Sequence, residues 1–221
     1  VLEAHKQYSS NSSTIPSAKP VTADLSTAFN IEEFFSTACS WKKRIDVWVN
    51  AAGADVLTGC AKELSFSDKL HRLWQVDVQS TILLSRLAAD YMRCRTTDIE
   101  EPKPTVINIS WDQAERGMAG DSGQYFSAVK AAIAAFTRSL AMSIGPEVRA
   151  NCLAPGWIQT SWGDQASSAW QQRAIGESSL HRWGNVGDIA NAAVWLASKQ
   201  AEFINGQVIC INGGWRPSYQ S

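Results

Sequence analysis

Lys130 is the basic side chain around which proton transfer could be organised, in the run Phe126-Ser127-Ala128-Val129-Lys130-Ala131-Ala132. Apolar residues three and four apart make this run a helix, and helix geometry decides which neighbour could share work with the amine. Side chains four residues apart differ by about 40° in direction and can act on one site, whereas five apart differ by about 140°. Four before Lys130 stands Phe126, which has no exchangeable proton; five before it stands Tyr125. General acid catalysis, typically worth about 10²–10⁴ in rate, would be lacking here. Tyr125 could serve only if the helix began late or was overwound. A second hydroxyl, Ser110, closes the run Val106-Ile107-Asn108-Ile109-Ser110 and is followed by Trp111. Successive strand residues face opposite ways, so Ser110 and Trp111 look in different directions.

Small residues gather at two other places. Asn50-Ala51-Ala52-Gly53 closes one apolar run, and Pro155-Gly156, followed by Ile158 and Thr160, closes another. Small side chains let backbone approach a ligand, although either sequence would also make an ordinary turn. Asp24 likewise could meet a ligand or cap a helix.

Other chemistries find little support. Cys39, Cys60, Cys94, Cys152 and Cys210 are scattered singly without zinc-like spacing, which fits a reduced cytoplasmic protein. His5, His71 and His181 lie far apart and read as surface or packing residues. A formal charge of −1 and a pI near 6.3 give no basic field for a nucleic acid backbone. The longest apolar stretch, 128–142, is broken by Lys130 and Arg138 and is too short to span a membrane, which needs about 20 residues. The opening Val1-Leu2-Glu3-Ala4-His5-Lys6 reads as a helical fragment rather than a targeting sequence.

The elements that must position these residues alternate. Short apolar runs at 20–24, 45–50, 105–110, 148–154 and 207–212 read as buried strands; helical periodicity covers 31–39, 66–94, 124–144 and 187–198. In 66–94 the apolar stripe is Leu70, Leu73, Trp74, Leu83, Leu84, Leu87 and Tyr91. Residues 9–17 and 96–104 read as loops, and 157–183 as a loop with short helical turns, placed as a lid over the carboxyl ends of the strands. The pattern predicts one α/β domain over 1–221, a doubly wound parallel sheet with helices on both faces.

Three blocks in order carry a resemblance: Asn50-Ala51-Ala52-Gly53 after a strand; Asn151-Cys152-Leu153-Ala154-Pro155-Gly156-Trp157-Ile158-Gln159-Thr160; and Arg182-Trp183-Gly184 with Asp188-Ile189-Ala190 and Asn205-Gly206 through Asn212-Gly213-Gly214-Trp215. Together they resemble the short-chain dehydrogenase/reductase family, and in particular 3-oxoacyl-(acyl carrier protein) reductases. The resemblance implies a Rossmann-like fold, NAD or NADP as cofactor, and hydride transfer between the nicotinamide and a small carbonyl or alcohol substrate. It implies cofactor contacts from Asp24 (to the adenine), Asn50, Ala51, Ala52, Gly53, Lys130 (to the ribose), Pro155, Gly156, Ile158 and Thr160. It also implies a homodimer or homotetramer, with the small face of Ala128, Ala131, Ala132 and Ala135 suited to close helix packing.

The sequence departs from the family in two ways. The strand, glycine-rich turn and helix that hold a pyrophosphate do not precede Asp24, so roughly one βαβ unit of about 30 residues or more is expected upstream of Val1. The family's catalytic positions are also replaced: its tyrosine by Phe126, its serine by Trp111, its asparagine by Gln79, with Lys130 retained. Ser110 and Tyr125 are each displaced by one residue and could act together instead. The expectation is impaired or altered catalysis, with a non-catalytic dinucleotide-binding or regulatory subunit as the rival. Of ten tryptophans, Trp157, Trp162, Trp170 and Trp183 fall in the lid. Packing is expected for Trp170 and Trp183; Trp157 and Trp162 could pack or cover a ligand. Trp111 would fill space a substrate normally takes.

Overall fold

A computed structural model describes residues 18–94 and 101–217. The helical opening, the loop at 9–17 and most of the connection at 96–104 lie outside these residues. Four parallel strands form a sheet in chain order: β1 (Val47–Asn50), β2 (Thr105–Ile109), β3 (Arg149–Pro155) and β4 (Val208–Ile211). The two central strands are buried on both sides, and carry apolar residues with a few hydrogen-bonded polar ones among them. Register sets Val106 beside Ala150 and Asn108 beside Cys152, so one sheet face is built from these and the other from Ile107, Ile109 and Leu153.

The helices are α1 (Ala28–Lys42), α2 (Phe66–Leu73), α3 (Ser80–Arg93), α4 (Asp121–Ile144), the short α5 (Ser161–Asp164) and α6 (Ser168–Gly176), and α7 (Val186–Ala197). Ala88, Ala89 and Met92 of α3 with Leu140, Ala141 and Ile144 of α4 cover Val106 and Ala150. Leu196 of α7, with Ile189, Ala192 and Ala193, covers Ile107 and Leu153 from the opposite side. Both faces are thus clad, the doubly wound arrangement expected of the sequence.

The residues at 20–24 are exposed and form no strand. A strand needs a neighbour to take its N–H and C=O groups, and none of the described strands lies beside this run. The helix read at 66–94 is also not uniform. Between α2 and α3 the residues Trp74–Gln79 form a π-helical segment, whose wider turn rotates everything after it. The buried stripe therefore runs through Leu73, Asp77, Thr81, Leu84, Ala88 and Met92, while Trp74 is left 48% exposed.

Buried polar groups tie the layers. The amide of Asn50 donates to Ser85 Oγ (2.9 Å) and Asn108 Oδ1 (2.8 Å), and Asn108 Nδ2 donates to Thr137 Oγ1 (2.9 Å). This links β1, β2, α3 and α4 in one satisfied network. At the start of β3, Arg149 is 3% exposed and donates to the carbonyls of Leu196 (2.6 Å), Ala201 (3.1 Å) and Ile204 (3.1 Å). It thereby supplies a donor to the end of α7 and adds one to the turn that follows, where Ala201 also accepts the Ile204 N–H and Ile204 the Asn151 amide. The start of α7 is fixed by a capping box: Asn185 Oδ1 accepts from the Asp188 N–H, and Asp188 Oδ2 from the Asn185 N–H.

Candidate active site

The carboxyl ends of β1, β2 and β3 and one face of α4 converge on Lys130. Its side chain is 15% exposed, and Nζ donates to Asp77 Oδ2 at 2.8 Å. Asp77 is itself 2% exposed, and its other oxygen accepts the N–H of Ala54 at 2.8 Å. The carboxylate lies directly against the turn after β1, where a Cβ added to Gly53 would come within 3.2 Å of Asp77 Oδ2. One acid therefore joins the π-helical segment, the turn and α4.

Asp77 was not singled out by the sequence. An amide was expected at Gln79, which ends the π-helical segment half-buried; the residue beside Lys130 is the acid two positions earlier. A polar residue four after Leu73, on an otherwise apolar buried stripe, was the available signal.

Ser110 and Tyr125, the displaced hydroxyls, are not brought together. Ser110 Oγ donates to the backbone carbonyl of Lys130 at 2.7 Å and so clamps β2 to α4. Tyr125 is 3% exposed and lies among Val56, Leu73, Val78 and Val129, its ring 5.7 Å from Phe66. Burial, reinforced by Asp121, pushes its phenol above the ordinary range. The helix is regular through Tyr125 and Phe126, so the phase argument holds and the phenol turns into the core. Phe126 is half-buried, with Trp111 edge-on at 6.4 Å. Cys152, opposite Asn108, is buried and its thiol is pushed up to about 12, which makes it inert.

A second polar cluster forms beyond the carboxyl ends of β2, β3 and β4. Asp112, 2% exposed, accepts from Asn212 Nδ2 at 2.9 Å and from Arg116 Nη2 at 3.0 Å, while its Oδ1 has no partner among the described residues. Arg116 in turn lies 4.1 Å from the ring centre of Trp215. Burial raises the Asp112 carboxyl above its usual value, outweighing Asn212 and Arg116, which lower it. The folded protein therefore holds this proton more tightly than the unfolded chain does. The group's contribution to stability is full below the ordinary carboxyl value of about 4 and is lost as pH rises through the raised one. In thermal melts, Asp112→Asn should gain on the wild type as pH is raised from 4 to 7. Wild type gaining instead would mean that the hydrogen bonds outweigh burial.

The segment at 157–183, which follows β3, is built around four tryptophans. Trp157 stacks on Trp162 (6.4 Å, 20°) and meets Trp170 at 5.4 Å and Trp183 at 6.2 Å. Arg173 lies over Trp157 and Trp170 and pairs with Glu177 at 2.8 Å, and Glu177 accepts the Trp157 indole N–H at 2.8 Å. All four rings thus pack against one another, the two left open included.

The family model described as enoyl-(acyl carrier protein) reductase matches residues 3–216. The chain belongs to the short-chain dehydrogenase/reductase family. It is 30% identical over 173 residues to tropinone reductase-like 3 of Erythroxylum coca, covering 77% of this chain and 63% of that protein. It is 30% identical over 175 residues to the 3-oxoacyl-(acyl carrier protein) reductase of Chlamydia pneumoniae, covering 77% of this chain and 65% of that one. The chain thus spans just under two thirds of the length of these curated relatives. Among solved structures, 7α-hydroxysteroid dehydrogenase complexed with NADH and 7-oxo glycochenodeoxycholic acid superposes with a TM-score of 0.74 at 25% identity, over 87% of this chain and 72% of that one.

As a short-chain dehydrogenase/reductase, the chain distributes its expected cofactor residues unevenly. Ala51, Ala52 and Gly53 are exposed at the end of β1, and Thr160 is exposed at the start of α5. The Asn50 side chain instead points into the buried network, leaving only its backbone at the turn. Asp24 is exposed and accepts from the Ser26 N–H at 3.0 Å; the cap of α1 is Thr27. Pro155 accepts the Asp112 N–H at 3.1 Å, and a Cβ on Gly156 would fall 2.5 Å from that of Asn212, so this glycine is needed for packing of β3 on β4. Ile158 is half-buried and bridges to Gly184. Among the described residues no cluster of His, Cys, Asp and Glu could hold a metal, and no helix is long and apolar enough to cross a membrane.

Proposed function

We propose that this chain is a nicotinamide dinucleotide-binding member of its family, of the carbonyl/alcohol oxidoreductase type, whose own proton-donating machinery is impaired. One observation carries the reading. The residue one helical turn before Lys130 is Phe126, and the nearest phenol, Tyr125, is committed to the core. Ser110 offers no substitute, since its hydroxyl is bonded to the Lys130 carbonyl.

The crevice fits the nicotinamide half of such a cofactor. The exposed backbone of Ala51, Ala52 and Gly53 gives close approach, Thr160 offers a hydroxyl, and the Lys130 ammonium has N–H groups beyond the one given to Asp77. When bound, the dinucleotide supplies the hydride chemistry. The protein's own residues bind and orient it, and Trp111 with Phe126 wall off the place where a carbonyl oxygen would need a donor.

The rival, a non-catalytic dinucleotide-binding or regulatory subunit, draws on a separate observation: Lys130 is already paired with a buried acid. Titration calorimetry with NADH and NADPH, followed by turnover assays on a broad carbonyl panel, separates the two. Binding with slow turnover is the expected result. Binding with none favours the subunit, and no binding of either cofactor sinks both. Ala128 and Ala135 are exposed on α4, which supports its use as a subunit contact; light scattering should give a dimer or tetramer mass.

A further inference from the structure

We infer that Asp77 is a positioning residue that sets the charge of the nicotinamide end of the crevice, turning Lys130 from a free cation into half of a neutral pair. The inference rests on the dinucleotide reading above. Its structural basis is the carboxylate itself: 2% exposed, 2.8 Å from Lys130 Nζ, 2.8 Å from the Ala54 nitrogen, and pressed beneath Gly53. A lysine alone would place a full positive charge beside the turn that meets the cofactor. With Asp77 the local sum is zero.

Charge matters here because the two redox forms differ by it. The oxidised nicotinamide ring is cationic and the reduced ring is neutral. An unpaired ammonium nearby therefore weakens the oxidised form selectively, and an unpaired carboxylate strengthens it. With the two side chains 15% and 2% exposed, these effects exceed those at an open surface. The Asp77–Lys130 pair removes the bias, so the site holds both forms on equal electrostatic terms. Contacts to ribose or turn act on both forms alike and cancel in the ratio of affinities.

The test is a charge cycle read by titration calorimetry with NAD⁺, NADH, NADP⁺ and NADPH. Asp77→Asn keeps an acceptor for the Ala54 N–H and leaves +1; Lys130→Gln leaves −1; the double variant returns to zero. Relative to wild type, Asp77→Asn should shift the affinity ratio toward the reduced form by about fivefold, and Lys130→Gln toward the oxidised form by a similar factor. The double variant should return to within about twofold of the wild-type ratio. A purely structural Asp77 would weaken both forms together and leave the ratio unmoved, which would overturn the inference while leaving the dinucleotide reading intact. Single variants that move the ratio in the same direction overturn it too. If wild type binds none of the four, the inference falls together with the reading it rests on. Should Asp77→Asn not fold, the Lys130→Gln arm alone decides, by whether the ratio moves toward the oxidised form.

Discussion

The double variant Trp111→Ser/Phe126→Tyr should reduce carbonyl compounds about 10²-fold or more faster than the wild type, the gain general acid catalysis typically gives. Position 126 lies one turn before Lys130 on a regular helix, half-buried and facing Trp111, so a phenol there points where the benzyl ring points now. Removing the indole opens the space above it and supplies a hydroxyl. Phe126→Tyr alone should gain less, because Trp111 would still occupy the place of the carbonyl. Tyr125→Phe should leave turnover unchanged, since its phenol lies in the core. The measurement is the rate of reduced-cofactor oxidation across a carbonyl panel, with cofactor affinity measured alongside. A loss of activity in Tyr125→Phe would show that the helix is overwound in the working state, contrary to the phase argument.

Loss of the Arg149 guanidinium should be the most damaging change to the fold. This side chain is 3% exposed and serves the carbonyls of Leu196, Ala201 and Ile204, which end α7 and the turn leading to β4. Burial lowers its pKa, yet a cation at a helix C-terminus is favourably placed. Arg149→Met takes the charged donor from the Leu196 carbonyl, while the Ala201 carbonyl keeps the Ile204 N–H and the Ile204 carbonyl keeps the Asn151 amide, at an expected cost of about 2–3 kcal/mol in denaturant unfolding. Arg149→Lys keeps the charge but not the planar fork, and should recover only part of that loss. A cost below about 1 kcal/mol for the methionine variant would mean that relief of burying a cation offsets the lost hydrogen bonds.

The sheet and its two helical layers were legible because β2 and β3 are short, mainly apolar runs between helical stretches and α4 keeps one phase over its whole length. Residues 20–24 carry the same local signal but find no strand partner among the described residues, and pairing is a property of neighbours rather than of the run itself. At the site, Phe126 and Lys130 could be placed from helix phase alone. Asp77 stands four residues after Leu73 and so shares its face, but phase on one helix does not tell which side chain of another element it meets, and Lys130 lies 53 residues further on. The tryptophan cluster escaped as well: its members are separated by uneven intervals and meet only in space, so no periodicity marks them.

Those four indoles also bear on how a molecule could enter. A segment held together by its own packed rings, and pinned by Arg173 and Glu177, presents one fixed outline. Any molecule that meets this face must match a shape already set, and selection between guests falls to rigid outline rather than to moulding.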